Sequence, residues 1–296
     1  MVLHFFRERI KERIDFSDVL DVFFGEIDNC EITSDDDQVD IEITEPCFDF
    51  KYHFYITKRT RVTNIIKLNP SFVNTNILIE IPVLLPKFLV RKILKIVGDL
   101  CRRFELSIYH DLIEDIAPFS MLDLLSYIDK ETYLYKESHP QKYYYLDQRT
   151  LTTACTYLQV IPEIAESMVV DTVMSPYDVL YDKEDDKVCL SVSWQAGQPT
   201  VFPPLLDYVF VEEEGNLLSV IPADTFFKYT RRLMHEVLKN KKYDYELDME
   251  LYYLNEKNAV KAKKLIRKMR KHVVLRNRFN TLKITDILEK TGDKDE

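Results

Sequence analysis

The chain reads as an α+β protein of two similar lobes, each a mainly antiparallel sheet with a packed helix, followed by a basic C-terminal helix. Three observations lead there. Several short segments alternate apolar and polar residues, the period of a strand with one buried face. Longer segments repeat apolar residues three and four apart, the period of a helix with one buried stripe. The order hairpin, strand, helix, strand also occurs twice along the 296 residues.

In chain order, Leu3, Phe6, Ile10 and Ile14 lie at helical spacing and predict an opening helix. A second short helix follows, with Ser17 at its N-cap and Val19, Leu20, Phe23 and Phe24 inside. The period then changes to two. Val39, Ile41 and Ile43 alternate with Asp40 and Glu42, and beyond Glu45-Pro46 the run Phe48, Phe50, Tyr52, Phe54, Ile56 alternates with Asp49, Lys51, His53, Tyr55, Thr57. These two strands predict a hairpin, with His53 on its polar side. A strand over 77–83 leads through Pro82 and Pro86 into a helix striped by Leu89, Ile93, Ile96, Val97, Leu100 and Phe104, and 105–109 reads as a further strand.

In the second half, 177–181 and 188–194 flank the acidic turn 182–186, while 206–211 and 217–221 flank Glu212-Glu213-Glu214-Gly215-Asn216, so each pair predicts a hairpin. After Ile221-Pro222, with Asp224 as N-cap, a helix is expected to carry Phe226, Phe227, Leu233, Met234, Val237 and Leu238, followed by a strand through Tyr243, Tyr245, Leu247, Met249 and Leu251. The two Ile-Pro landmarks are 140 residues apart, and Phe104-Glu105 stands 141 from Tyr245-Glu246, which suggests an internal duplication. The expected organisation is an α+β lobe over 1–117, a helical and Tyr-rich bridge over 118–168, a second lobe over 169–255, and a basic helix and tail over 256–296. Ser120 and Asp123 would begin one bridge helix as a capping box, and Leu151, Ala154, Cys155 and Leu158 would stripe another.

Composition removes several classes of activity. Five scattered glycines leave no Gly-rich phosphate loop or dinucleotide fingerprint, and there is no Gly-x-Ser-x-Gly elbow. Cys30, Cys47, Cys101, Cys155 and Cys189 form no Cys-x-x-Cys pair, which predicts a reducing compartment and neither a zinc clamp nor a dithiol site. The longest apolar run, Ile77 to Val90, is broken by Glu80, Pro82, Pro86 and Lys87. A bilayer span needs about 20 nearly uncharged residues, and Met1 to Phe6 run straight into a charged stretch. The expectation is a soluble, cytoplasmic protein without cofactor or metal.

Charge is unevenly spread beneath a net value of −10. Lys257, Lys261, Lys263, Lys264, Arg267, Lys268, Arg270, Lys271, Arg276 and Arg278 follow one another with no acid between them. Lys87, Arg91, Lys92, Lys95, Arg102 and Arg103 face only Asp99, and Lys228, Arg231, Arg232, Lys239, Lys241 and Lys242 face only Glu236. Three helical stretches thus hold +20, leaving −30 for the strands and turns. The Ala262, Leu265, Ile266, Met269, Val273 seam predicts that the last helix docks on the body while its Lys and Arg meet an anionic partner.

Chemistry-bearing constellations are sparse. His110-Asp111 with Glu114 follows a strand, where an imidazole beside carboxylates can serve as base or ligand. Asp35-Asp36-Asp37 lacks the glycine and distal glutamate of a calcium loop and reads as a solvated turn. The loop from Gln195 through Gly197, Pro199 and Phe202 to Pro204 reads as a rigid turn. Tyr143, Tyr144 and Tyr145, beside Lys142 and Arg149, are candidate interface aromatics. The leading expectation is a non-enzymatic binding protein acting through protein-protein contacts, as an adaptor, inhibitor or immunity-type partner. The alternative is a nucleic-acid-binding factor using Arg91, Lys92, Lys95, Arg231, Arg232 and the residues of the last helix; the third is a metal-dependent or hydrolytic enzyme near His110.

Overall fold

The computed structural model describes residues 1–168, 171–213, 217–237 and 251–290. The chain divides into two compact units, Met1–Lys142 and Tyr143–Glu296, so the division falls inside the segment expected to be a bridge. Each unit combines sheet and helices, as an α+β reading requires.

In the first unit β1 (Val2–Glu8), β2 (Cys30–Ser34), β3 (Gln38–Glu45), β4 (Phe50–Thr57), β5 (Phe72–Glu80), β6 (Ser107–Tyr109) and β7 (Ala117–Pro118) form one antiparallel sheet in the order β2-β3-β4-β5-β1-β6-β7. Three helices accompany it: α1 (Phe16–Glu26), α2 (Lys87–Arg103) and α3 (Met121–Ser138). The predicted β3–β4 hairpin forms, with Ile41 opposite Phe54 and Ile43 opposite Tyr52, all four buried. Leu89, Val90, Ile93, Leu94, Val97 and Leu100 form the buried stripe of α2. That helix ends where the Leu106 N–H reaches the Cys101 carbonyl at 2.9 Å and Glu105 takes φ of 52°, a left-handed closure that usually falls to glycine. The Ser120 side chain caps α3 by accepting from the Asp123 N–H at 3.4 Å.

The opening segment is a strand, not the helix that its spacing predicts. β1 lies between β5 and β6, where Leu3, Phe5 and Phe6 are all buried, and Ile10 is left 90% exposed beyond the strand end. A central strand covered on both faces reads as a nearly continuous apolar run, and over so few residues that run also fits a helical period. Partners more than 60 residues away along the chain decide between them. At α1 the N-cap is Asp15, which accepts from the Ser17 N–H at 2.9 Å, two residues before the predicted cap.

The second unit contains β8 (Tyr144–Leu146), α4 (Gln148–Ser167), β9 (Val173–Met174), β10 (Asp178–Asp182), β11 (Lys187–Gln195), β12 (Thr200–Phe202), β13 (Tyr208–Glu213), β14 (Leu217–Pro222), α5 (Ala223–Thr230), β15 (His235–Glu236), β16 (Tyr252–Leu254), α6 (Glu256–Met269), β17 (Phe279–Leu282) and β18 (Ile287–Glu289). The main sheet runs β14-β13-β11-β10-β17, with both predicted hairpins present and β11 parallel to β13. A second sheet runs β15-β16-β12-β9, and β8 pairs in parallel with β18. Residues 256–290 are therefore more than a helix and tail: β17 and β18 return into sheets.

The helix expected to reach Leu238 ends at Thr230, whose buried hydroxyl donates back to the Phe226 carbonyl at 2.8 Å. Residues Arg231–Leu233 tighten into a 3₁₀ turn, and β15 then pairs with β16, opposing His235 to Tyr253. The N-cap is Pro222 and not the predicted Asp224, which falls inside the first turn because the helix already begins at Ala223. Lys239, Lys241, Lys242 and residues 243–250 of the strand expected to run through Leu251 lie outside the described residues. The two Ile-Pro landmarks also sit differently: β5 enters its helix from within a sheet, whereas β14 enters from a sheet edge.

One hydrophobic core of the second unit joins Trp194, Phe202, Phe226, Leu254, Ala259, Ala262, Ile266 and Met269. Trp194 meets Phe226 edge to face at 5.3 Å and donates its indole N–H to the Gln198 carbonyl at 3.0 Å. Gly197 makes the intervening turn with φ of 100°. Truncating Ile266, which is fully buried here, leaves a cavity under α6; Ile266→Ala is expected to cost about 2–5 kcal/mol in chemical denaturation.

Candidate functional site

α6 separates its residues by face. Ala259, Ala262, Ile266 and Met269 turn into the core, while Lys257, Lys261, Lys264 and Lys268 of the helix, and Lys271 in the 3₁₀ turn Arg270–His272 that follows it, are all exposed. Arg267 and the half-exposed Val260 flank that stripe. Lys263 lies partly buried over the Gly197 turn, and Arg270 pairs with Glu213 at 2.9 Å. The stripe residues and Arg267 have no acidic partner among the described residues.

The 3₁₀ turn after α5 packs on α6, where the Asn258 amide donates to the Leu233 carbonyl at 2.7 Å. This turn carries Arg231 and Arg232, both exposed and likewise without an acidic partner among the described residues. Arg231 also lines a groove of about 390 Å³ formed with Phe202, Pro203, Pro204, Leu205, Phe227, Met234 and Tyr252. Leu205 stands 51% exposed at the groove with φ of 55°. A left-handed leucine costs about 1–2 kcal/mol relative to ordinary backbone, so an apolar side chain is held outward at some expense. The sequence marks this loop only as a proline-rich turn; the apolar groove appears when β12, α5 and β16 meet.

The basic residues of α2 behave differently. Lys87 pairs with Asp129 at 2.9 Å, Lys92 with Glu45, Arg102 with Asp99 at 3.0 Å and Arg103 with Glu26. Only Arg91 and Lys95 of that helix are without an acidic partner among the described residues. Arg278 is also consumed internally. Its guanidinium holds Asp182, meets Glu184 at 2.8 Å and Asp185 at 2.9 Å, and lies near the Tyr208 and Phe279 rings, so it closes the acidic β10–β11 turn. Burial alone would push the fully buried Asp182 carboxyl up, but Arg278 and the N–H groups of Glu184 and Asp185 outweigh it and hold it below the usual carboxylate range.

The other sequence candidates are dispersed. His110 is 5% exposed and faces Glu131 of α3, with Nε2 at 2.9 Å from Oε1, while Asp111 and Glu114 stand exposed. Burial holds the His110 imidazole below its ordinary value despite Glu131 and Asp111 beside it. His53 stands between Asp40 at 2.8 Å and Glu42 at 3.8 Å, on the polar face predicted for it. Tyr143, Tyr144 and Tyr145 are half-buried around β8, with the Tyr144 ring 5.2 Å from Tyr181. Burial pushes the Cys101, Cys155 and Cys189 thiols up to about 12, which keeps them protonated. Among the described residues, no group of three or more His, Cys, Asp and Glu side chains is placed to hold a metal ion, and no helix is long and apolar enough to cross a membrane.

Comparison of the chain with family models, curated proteins and solved structures finds no match.

The Arg278 lock has a measurable signature. Arg278→Met strands the buried Asp182 carboxylate and is expected to cost about 3–5 kcal/mol at neutral pH. Because the folded-state value of Asp182 is depressed, this contribution is present above the ordinary aspartate range and is lost as pH falls through the depressed value. Urea unfolding as a function of pH should show the parent and variant curves converging in acid.

Proposed function

We propose that this chain is a non-enzymatic binding protein whose second unit docks an acidic protein surface on α6 and the adjoining 3₁₀ turn. The observation that carries the reading is the exposed row Lys257, Lys261, Lys264, Lys268, Lys271 without acidic partners among the described residues, set against the ion-paired cations of α2. Unpaired cations in a chain of net charge −10 have abundant intramolecular acids to choose from. Leaving them exposed preserves a field that attracts an anionic partner and speeds encounter.

Two further features favour protein over nucleic acid. Arg231 connects the basic row to an apolar groove with the outward Leu205, so a partner can bury an apolar side chain beside its carboxylates, the core-and-rim composition of protein interfaces. The negative charge carried elsewhere on the chain also opposes a long polyanion. Insertion of α6 into a membrane surface is disfavoured because its apolar side is already buried against Trp194, Phe202 and Phe226.

The test reverses exposed cations and leaves the core alone. A variant with Lys261→Glu, Lys264→Glu, Arg267→Glu and Lys268→Glu is expected to unfold like the parent and to lose at least about tenfold in affinity, or about 1.4 kcal/mol, for a stoichiometric protein partner isolated from the native source. Tight retention on DNA-cellulose, with a log–log salt slope near −0.9 per phosphate contacted, would instead establish the nucleic-acid reading.

A further inference from the structure

The first unit contains a larger groove that the α6 reading does not use. Its volume is about 610 Å³, and it opens between the segment after β1 and residues Val73–Asn76 of β5. Arg7, Arg9, Lys11 and Arg13 line it with Glu8 and Glu12, an excess of two positive charges, together with Ile14, Phe16 and Val73. Phe16 and Val73 are 42% and 45% exposed, so the wall offers apolar surface as well as charge.

The cations differ in how well they are satisfied. Lys11 meets Glu105 at 3.0 Å. Arg7 is mostly buried: one terminal nitrogen donates to the Glu12 carbonyl at 2.7 Å, another stands 3.7 Å from Glu105, and its buried Nε has no hydrogen-bond partner. Arg9 and Arg13 are exposed without an acidic partner among the described residues. Two exposed, uncommitted arginines can accept a carboxylate without first breaking an internal ion pair, whereas Arg7 is already engaged by Glu105 and the Glu12 carbonyl. Glu105 secures Lys11 and lies near Arg7 from the left-handed position that closes α2, where glycine would be less strained.

We propose that this groove binds a short acidic peptide segment, with Arg9 and Arg13 taking its carboxylates and Phe16 and Val73 receiving an apolar side chain between them. A uniformly charged polyanion fits less well, because Glu8 and Glu12 interrupt the basic wall. Spaced carboxylates can avoid both glutamates.

The test is fluorescence anisotropy with the full chain and a fluorescein-labelled peptide, Glu-Asp-Phe-Glu-Asp-Leu, at low and moderate salt. Salt-sensitive binding is expected, weakened about tenfold or more by the double variant Arg9→Ala, Arg13→Ala. Both substituted side chains are exposed, so thermal unfolding should match the parent. The peptide with Gln and Asn in place of its acids should lose affinity similarly. The α6 charge-reversal variant should bind the peptide like the parent, which separates failure of this groove from failure of the α6 reading. Lack of binding by the parent chain, equal binding by the Arg9, Arg13 variant, equal binding of the neutral peptide, or displacement by inorganic phosphate or a single-stranded oligonucleotide at lower concentration than unlabelled peptide would each overturn the proposal.

Discussion

Burial of the apolar side of α6 is the constraint from which the character of the second unit follows. Ala259 and Ala262 allow the helix close to its neighbours, while Ile266 and Met269 fill the space among Trp194, Phe202 and Phe226. Burying side chains the size of Ile266 and Met269 is worth about 1.5–3 kcal/mol each. Once those residues point inward, the helical period turns Lys257, Lys261, Lys264 and Lys268 outward together, and Lys271 in the 3₁₀ turn beyond the helix is exposed beside them. The same packing seats the Arg231–Leu233 turn on α6 and brings α5 and β16 to the groove beside Pro204 and Leu205.

Residue type alone does not reveal whether a cation is available to a partner. α2 and α6 are both amphipathic and basic, yet Lys87, Lys92, Arg102 and Arg103 find Asp129, Glu45, Asp99 and Glu26 within the first unit. Most of these are exposed surface pairs that add little stability, about 0–1 kcal/mol each, but they reduce the local field. Arg278 belongs by sequence to the same basic run as Lys264 and by structure to a largely buried lock on Asp182. Counting charges along the chain identifies where a basic surface can form; pairing decides where one does.

Much of the local structure was legible because local patterns and their buried faces agree. The alternation at Ile41, Ile43, Tyr52 and Phe54 is the register of the β3–β4 hairpin, and the stripe through Leu89, Ile93, Val97 and Leu100 is the buried side of α2. The opening strand was not legible in this way, since Leu3 and Phe6 suit a helix until β5 and β6 supply non-local hydrogen bonds to both edges. The spacing after Pro222 predicts too long a helix for a related reason: Leu233 and Met234 continue its apolar period, but pairing of β15 with β16 requires extended backbone immediately afterward.

The sequence by itself determined the α+β class, the two hairpins of the second half, the amphipathic last helix and the concentration of Lys and Arg on it, because each is written in the spacing of neighbouring residues. Tertiary structure alone decided that His110 faces Glu131 while Asp111 and Glu114 stay exposed, that Arg278 serves the acidic turn, and that Arg7, Arg9 and Arg13 share a groove with Phe16 and Val73. Those arrangements depend on residues brought together across long stretches of chain, and no local period records which charge will meet which partner.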